Sequence, residues 1–216
     1  MDHNISVIIR NRNESEHIGF AIQSCLDNFK KPEIIVVDNN STDDSLQVVN
    51  LFKDRTNIKV ITINDYTPGK SINLGVKHAT NERILVLSAH AQITTLDIEM
   101  LNQWFRQGYV AVFGNQTPIY RGKRITKRYV WSHFTNDITE NLYSKIEDRY
   151  FLHNAFCFYK KDFLLENPFD ETLQGKEDRY WAIDVVNKNH KYLYDGFYQK
   201  CNHFYTSNGA TWKGIG

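Results

Sequence analysis

The residues with chemical reach in this chain stand where apolar runs end. ISVII (5–9) stops at Arg10-Asn11-Arg12-Asn13-Glu14, EIIVV (33–37) at Asp38-Asn39-Asn40, and ILVL (84–87) at Ser88-Ala89-His90. These clusters carry basic, amide, carboxylate and imidazole groups. Neutral imidazole binds Mn²⁺ or Zn²⁺ well and Mg²⁺ poorly, since Mg²⁺ prefers oxygen; protonated imidazole is a donor to an anion. A carboxylate such as Asp38 accepts from N–H groups, and the acidic pair Glu177-Asp178 has the same capacity. No G-x-G-x-x-G follows the first run and no G-x-x-x-x-G-K-[ST] occurs, which argues against a dinucleotide oxidoreductase and a P-loop. Any phosphate has to be held by a metal or by basic side chains.

The elements that position these groups alternate. The three apolar runs, together with 58–63, are short and rich in β-branched residues, as in strands buried on both faces. Between them Ile18, Ile22, Cys25, Leu26 and Phe29 recur at helical spacing, as do Leu46, Val49 and Phe52, and 71–79 predicts a third helix. Asn13 with Glu16, and Ser41 with Asp44, are candidate capping pairs. Strands alternating with helices imply a doubly wound, mostly parallel α/β sheet, because parallel neighbours require a crossover. In such sheets ligands bind beyond the carboxyl ends of the strands, so the three polar clusters are expected to share one crevice. Farther on, the pattern predicts a helix over 96–105, a strand over 110–113, a helix over 138–146, a strand over 155–159 and a helix over 177–189 with Trp181, Val185 and Val186 inward.

At 216 residues the chain suits one large α/β domain, 1–216, whose two halves share one sheet. Its 26 basic and 25 acidic side chains nearly cancel, which argues against a nucleic-acid partner. No apolar run approaches the roughly 18 residues that span a bilayer, and the N-terminus shows no basic-then-apolar leader. Cys25, Cys157 and Cys201 are odd in number and widely spaced, as reduced thiols would be, so a cytoplasmic location is expected.

Four ordered motifs resemble the inverting nucleotide-sugar glycosyltransferases of the GT-A fold, family 2. SVIIRNRNE is similar to that family's first strand and loop, although proline is usual at Arg10 and an aromatic near Arg12. EIIVVDNNSTDDS resembles its second strand and nucleotide loop. GKSINLGVKHATNERILVLSAHA resembles the G-x-x-x-N-x-G helix leading to a D-x-D strand, and FLHNAFCFYKKDFLLENPFDETLQGKEDRYWA the acceptor-side half with its PFDE turn and ED pair. Ser88-Ala89-His90 stands in place of Asp-x-Asp. A subset of the family is similar in having Ser-x-His followed by a G-x-Q element like Gly114-Asn115-Gln116.

The resemblance implies a nucleotide-sugar half (1–115), an acceptor half (116–216) and a role for each candidate. Asp178 is the general base that takes the acceptor hydroxyl's proton. Asp38 receives the donor's base, with Arg10, Asn11, Glu14, Asn40, Lys70 and Asn73 around the nucleotide. Gln116, His153, Asn154, Glu177 and Trp181 line the sugar and acceptor side, and His90 with His203 binds a divalent cation, Mn²⁺ or Mg²⁺. The partners implied are a nucleotide-diphosphate sugar and a saccharide or lipid-linked saccharide acceptor in surface polysaccharide assembly. The basic-aromatic stretch 121–131 is the candidate for peripheral contact with the inner face of a membrane. Each assignment has a plainer alternative: Asp38 as a turn former, Glu14 as first-turn charge, Lys70 as a solvated helix start, two acids as ordinary helix-opening charge. For His90 the alternatives are direct donation to the diphosphate, or loss of metal and activity. The rival functions are a nucleotide-sugar-binding pseudoenzyme and a sugar-1-phosphate nucleotidylyltransferase; the latter normally opens with a glycine-rich basic loop, which 10–14 lacks.

Overall fold

A computed structural model describes residues 4–124 and 129–206. In chain order the elements are β1 (Ile5–Asn11), α1 (Ile18–Asn28), β2 (Glu33–Asp38), α2 (Ser45–Asn50), β3 (Ile58–Thr62), α3 (Pro68–His78), β4 (Arg83–Ser88), β5 (Ala91–Leu96), α4 (Ile98–Arg106) and β6 (Ala111–Tyr120). They continue with β7 (Lys123–Arg124), a 3₁₀ turn at Tyr129–His133, β8 (Ile138–Glu140), β9 (Tyr143–Ser144), β10 (Arg149–Tyr150), β11 (Phe156–Lys160), α5 (Lys161–Glu166), α6 (Glu177–Asn187) and β12 (Tyr192–Phe204).

One mixed sheet runs β3-β2-β1-β4-β11-β6-β12-β5, with β7 and β8 on its margins. The first four strands are parallel, as the alternating pattern predicts, and β11 runs against its neighbours β4 and β6. Strands of both halves therefore lie in one sheet. Side chains alternate between two apolar layers: Ile8, Ile35 and Val86 pack beneath α3 and α6 with Ile72, Val76 and Trp181, whereas Val7, Ile9, Val36 and Leu87 pack with Ile22 and Cys25 of α1. All three cysteines are free and buried. No helix among the described residues is long and apolar enough to cross a membrane.

The G-x-x-x-N-x-G stretch fixes α3 between the sheet and the PFDE turn. A Cβ on Gly75 would stand 2.6 Å from Ile8 Cγ2, and one on Gly69 would stand 2.5 Å from the Asp170 carbonyl oxygen. Asn73 closes the same contact: Nδ2 donates to Phe169 O (2.8 Å) and Glu171 Oε1 (3.0 Å), and Oδ1 accepts from Phe169 N (3.0 Å). Thr67 caps the helix through Lys70 N, with Pro68 at the first helical position.

Several expectations are corrected. Residues 138–146 form β8 and β9 instead of a helix, because the stretch pairs with β12 and β10 rather than burying a helical face. β5 and the 13-residue β12 were not anticipated; β12's alternation is broken where its pairing with β6 slips between Asp195 and Lys200. Neither capping pair caps. Asn13 accepts from Thr42 N (2.7 Å) and Ser41 bonds Asp38, while α1 begins at Ile18 without a side-chain cap.

Candidate functional site

The ends of β1, β2 and β4 bring the first three clusters together, since Asn11 is in register with Asp38 and Arg10 with Ser88. Asp38 is buried and well engaged. Its Oδ1 accepts from Asn11 Nδ2 (2.8 Å) and Ser41 Oγ (2.6 Å), and Oδ2 accepts from Ser41 N (3.0 Å), which leaves Oδ2 capacity for one more donor. Asn40 takes a left-handed backbone (φ 50°) and donates to Ile63 O (3.1 Å). Lys70 pairs with the exposed Asp65 at the rim. Asn73, expected beside the nucleotide, is committed to the PFDE turn.

The acidic pair sits in the first turn of α6, where the helix dipole favours negative charge. Asp178 Oδ2 accepts from Asn154 N (3.1 Å) and Arg179 Nη1 (3.0 Å), and Oδ1 accepts from Arg179 N (2.9 Å). Glu177 Oε1 accepts from Arg10 Nη1 (3.1 Å) and Asn154 Nδ2 (3.3 Å). Ser88 N in turn donates to Ala155 O (3.0 Å), so β1, β4, β11 and α6 are tied into one ring of contacts. Burial first, then the neighbouring Asp178, push the Glu177 carboxyl above its ordinary range, with Arg10 opposing. Burial pulls the Arg10 guanidinium down, but Tyr66, Glu177 and Asp178 outweigh it and hold the charge more firmly than usual.

Two residues outside the sequence expectations complete this corner. Arg179 is buried; besides Asp178 it bonds Leu152 O (3.0 Å), lies 4.2 Å over the Phe151 ring and reaches to 3.6 Å from Glu147. Arg179 was within reach of sequence reading, as the base directly following an acid pair. Glu147 lies in a stretch with no period and gave no signal. Trp181, expected against the sugar, is a core residue: its ring packs on Tyr159 and Phe169 and its indole N–H bonds Asn167 O (2.8 Å).

The imidazoles form the third part. His90 Nδ1 lies 3.0 Å from Glu14 Oε1, which also accepts from Thr206 Oγ1 (3.0 Å). A carboxylate only accepts, so Nδ1 carries the proton and Nε2 is left for another partner. His90 and His203 rings are 5.0 Å apart between centroids, and His203 and His153 are 5.8 Å apart. Gln116 lies between the last two, 3.1 Å from His153 Nδ1 and 2.9 Å from His203 Nδ1. Burial first, then the neighbouring imidazole of His90, put the His203 pKa well below its usual value. His153 is lowered too, by burial and then by Arg179 and Arg10.

These residues fit a divalent cation in part. The His90 and His203 rings, 5.0 Å apart between centroids, are close enough for one nitrogen of each to share a cation. The buried His203 Nε2 and Glu14 Oε2 both lack a hydrogen-bond partner. Among the described residues no three His, Cys, Asp or Glu side chains group as a set that could hold a metal ion by themselves. Of the basic-aromatic stretch, Lys127 and Arg128 lie outside the described residues; Trp131 is buried and donates to Tyr205 Oη (2.6 Å), and Tyr129 is exposed.

Comparison with known proteins agrees with this architecture. Over 202 residues the chain is 29% identical to GalNAc(5)-diNAcBac-PP-undecaprenol beta-1,3-glucosyltransferase of Campylobacter jejuni, covering 89% of this chain and 63% of that protein. It is 27% identical to 4,4'-diaponeurosporenoate glycosyltransferase of Staphylococcus aureus over 206 residues, covering 89% of this chain and 49% of that one. The chain thus spans half to under two thirds of these relatives. Among solved structures, S. aureus TarS 1-349 in complex with UDP-GlcNAc matches with a TM-score of 0.71 at 20% identity, covering 95% of this chain and 60% of that one. The same protein in complex with UDP matches at 0.70, covering 94% of this chain and 61% of that one. The fold is GT-A, and residues 6–169 match Glycosyl transferase family 2, the family to which this chain belongs.

Proposed function

We propose that the chain transfers a hexosyl or deoxyhexosyl group, with inversion, from a nucleotide diphosphate to a hydroxyl of a saccharide or lipid-linked saccharide. The observation that carries this reading is the Glu177-Asp178 pair at the start of α6, bound through Asn154 and Arg10 to the strand ends that form the crevice. Asp178 takes the acceptor proton as the hydroxyl oxygen forms its bond to the anomeric carbon, on the face opposite the breaking bond to the diphosphate. Glu177 holds Arg10, whose positive charge lies near the strand ends where the leaving diphosphate gathers negative charge. Asp38 Oδ2 takes the imide N–H of a pyrimidine. His90 and His203 would hold a divalent cation, which when bound neutralises charge on the leaving group. Glu14 orients His90 through Nδ1, as carboxylates do behind ligating histidines.

The relatives named for undecaprenol-linked and carotenoid substrates support a lipid-linked acceptor. Exposed Tyr129, Tyr143 and Ile146, with basic Arg121, Lys123 and Arg124, support a peripheral contact with the cytoplasmic face of a membrane. The test incubates the protein with UDP-, dTDP- and GDP-sugars and lipid-linked acceptors, and follows nucleotide release and the anomeric configuration of the product by NMR. Transfer with inversion is expected. Nucleotide binding without turnover across the panel would make the protein a binder instead, and retention would remove Asp178 as the base.

A further inference from the structure

The histidine cluster contains a chain of hydrogen bonds whose direction is set at one end by the backbone. Ala155 N–H points to His153 Nδ1 at 3.3 Å. A backbone N–H only donates, so His153 Nδ1 is an acceptor without a proton and the ring's hydrogen is on Nε2. The Gln116 side chain, buried and 3.1 Å from the same nitrogen, must then present its NH₂ group there. That orientation turns Gln116 Oε1 toward His203 Nδ1 at 2.9 Å, and an amide oxygen only accepts, so His203 Nδ1 carries a hydrogen. Its Nε2 is left with a bare lone pair, buried and without a partner. Each step follows from donor and acceptor chemistry, and none requires a change of protonation.

We infer that Gln116 is a positioning residue that transmits the polarity of the Ala155 N–H to His203, locking that imidazole in its Nδ1–H tautomer with Nε2 as an electron-pair donor. Such a nitrogen takes a divalent cation or a hydroxyl proton and rejects a bare phosphate oxygen, because two lone pairs would face each other. This deepens the proposed function by assigning His203 to the cation or to a sugar hydroxyl, and excludes it as a donor to the diphosphate. The β6–β12 pairing explains how the lock is held: Gln116 is in register with Cys201, two residues from His203, so the amide and the imidazole are carried on adjacent strands.

The test reads the tautomers directly. Long-range ¹H–¹⁵N correlation spectra of protein labelled with ¹⁵N-histidine, at neutral pH without added metal, distinguish protonated from bare ring nitrogens. His203 is assigned from the signals lost in His203→Asn and His153 from those lost in His153→Asn. The expected result is a bare Nε2 on His203 and a bare Nδ1 on His153. Gln116→Leu removes the relay and is expected to return His203 to the Nε2–H form that dominates in free imidazole side chains; Gln116→Glu keeps an acceptor and is expected to retain Nδ1–H. A protonated Nε2 on wild-type His203, or an unchanged His203 tautomer in Gln116→Leu, overturns the inference. The spectra do not depend on sugar transfer, so an inactive protein with the expected tautomers would count against the proposed reaction and leave the relay intact.

Discussion

Replacing Asp178 by asparagine tests the reaction, but the structure shows that it does two things at once. The carboxylate accepts three hydrogen bonds, from Arg179 N, Asn154 N and Arg179 Nη1, and both Asp178 and Arg179 are buried. An amide offers one oxygen, so its NH₂ group meets either the Arg179 backbone N–H or both the Asn154 N–H and the guanidinium, donor against donor. Arg179 keeps its charge with Glu147 at 3.6 Å as the remaining acid in reach. Breaking a buried pair in this way costs about 3–5 kcal/mol, out of a total stability on the order of 5–15 kcal/mol. Loss of the base itself is expected to lower kcat by about 100-fold or more, with nucleotide affinity little changed. The assay therefore combines urea unfolding, UDP affinity by calorimetry and transfer kinetics per folded molecule. Folded Asp178→Asn that transfers sugar within about threefold of wild type would refute the role assigned to Asp178.

The other predictions concern separate parts of the molecule. Asp38→Ala is expected to weaken pyrimidine-nucleotide binding by about 1–3 kcal/mol, and unchanged affinity by calorimetry would leave Asp38 as a turn residue alone. His90→Asp is expected to move the metal preference of nucleotide binding from Mn²⁺ toward Mg²⁺; wild-type affinity that is the same in Mn²⁺, Mg²⁺ and EDTA would exclude a cation at His90. Gly69→Ala is expected to cost about 1–3 kcal/mol in urea unfolding, because its Cβ meets the Asp170 carbonyl, and an unshifted midpoint would contradict that packing. Burial first, then Arg179, Arg10 and His90, lower the folded-state pKa of His153, so the unfolded chain binds a proton below about 6.5 that the folded chain refuses. Stability in EDTA is then expected to fall as pH drops through that value, by up to about 1.4 kcal/mol per pH unit from this group, and a flat profile between neutrality and pH 5 would refute it.

The parallel half of the sheet was legible because its strands are buried on both faces and read as unbroken apolar runs ending in polar clusters. The acceptor half was not. β5 carries Gln92, Thr94 and Thr95 at a margin of the sheet, β12 slips register midway, and 138–150 forms pairs of two or three residues, too short for either period to show. Among site residues, those at strand ends could be placed by position alone, and the structure joins Glu14 with His90 and Asn11 with Asp38. Trp181 was misplaced because an aromatic near an acidic pair fits a sugar platform and a core ring equally well in sequence. Arg179 directly follows the acid pair and could be read from it, but its contact with Glu147 joins α6 to the 143–150 hairpin, and no local pattern encodes that.

The position of β12 bears on when this protein becomes competent. Residues 192–204 lie between β6 and β5 and follow every other strand of the sheet among the described residues, and they bring His203 beside His90. A nascent chain that ends before Tyr192 holds Asp38, His90, Glu177 and Asp178 but leaves β6 and β5 with open edges and Gln116 without His203. Its pairing partners lie up to 112 residues back in sequence, His203 with Ala91, so this insertion is a slow, non-local step. The ends of β1, β2 and β4 are thus made before β12, whose pairing with β6 and β5 places His203 beside His90. Fragments released early would display two unpaired edges, the surface that promotes aggregation, and would lack the finished site.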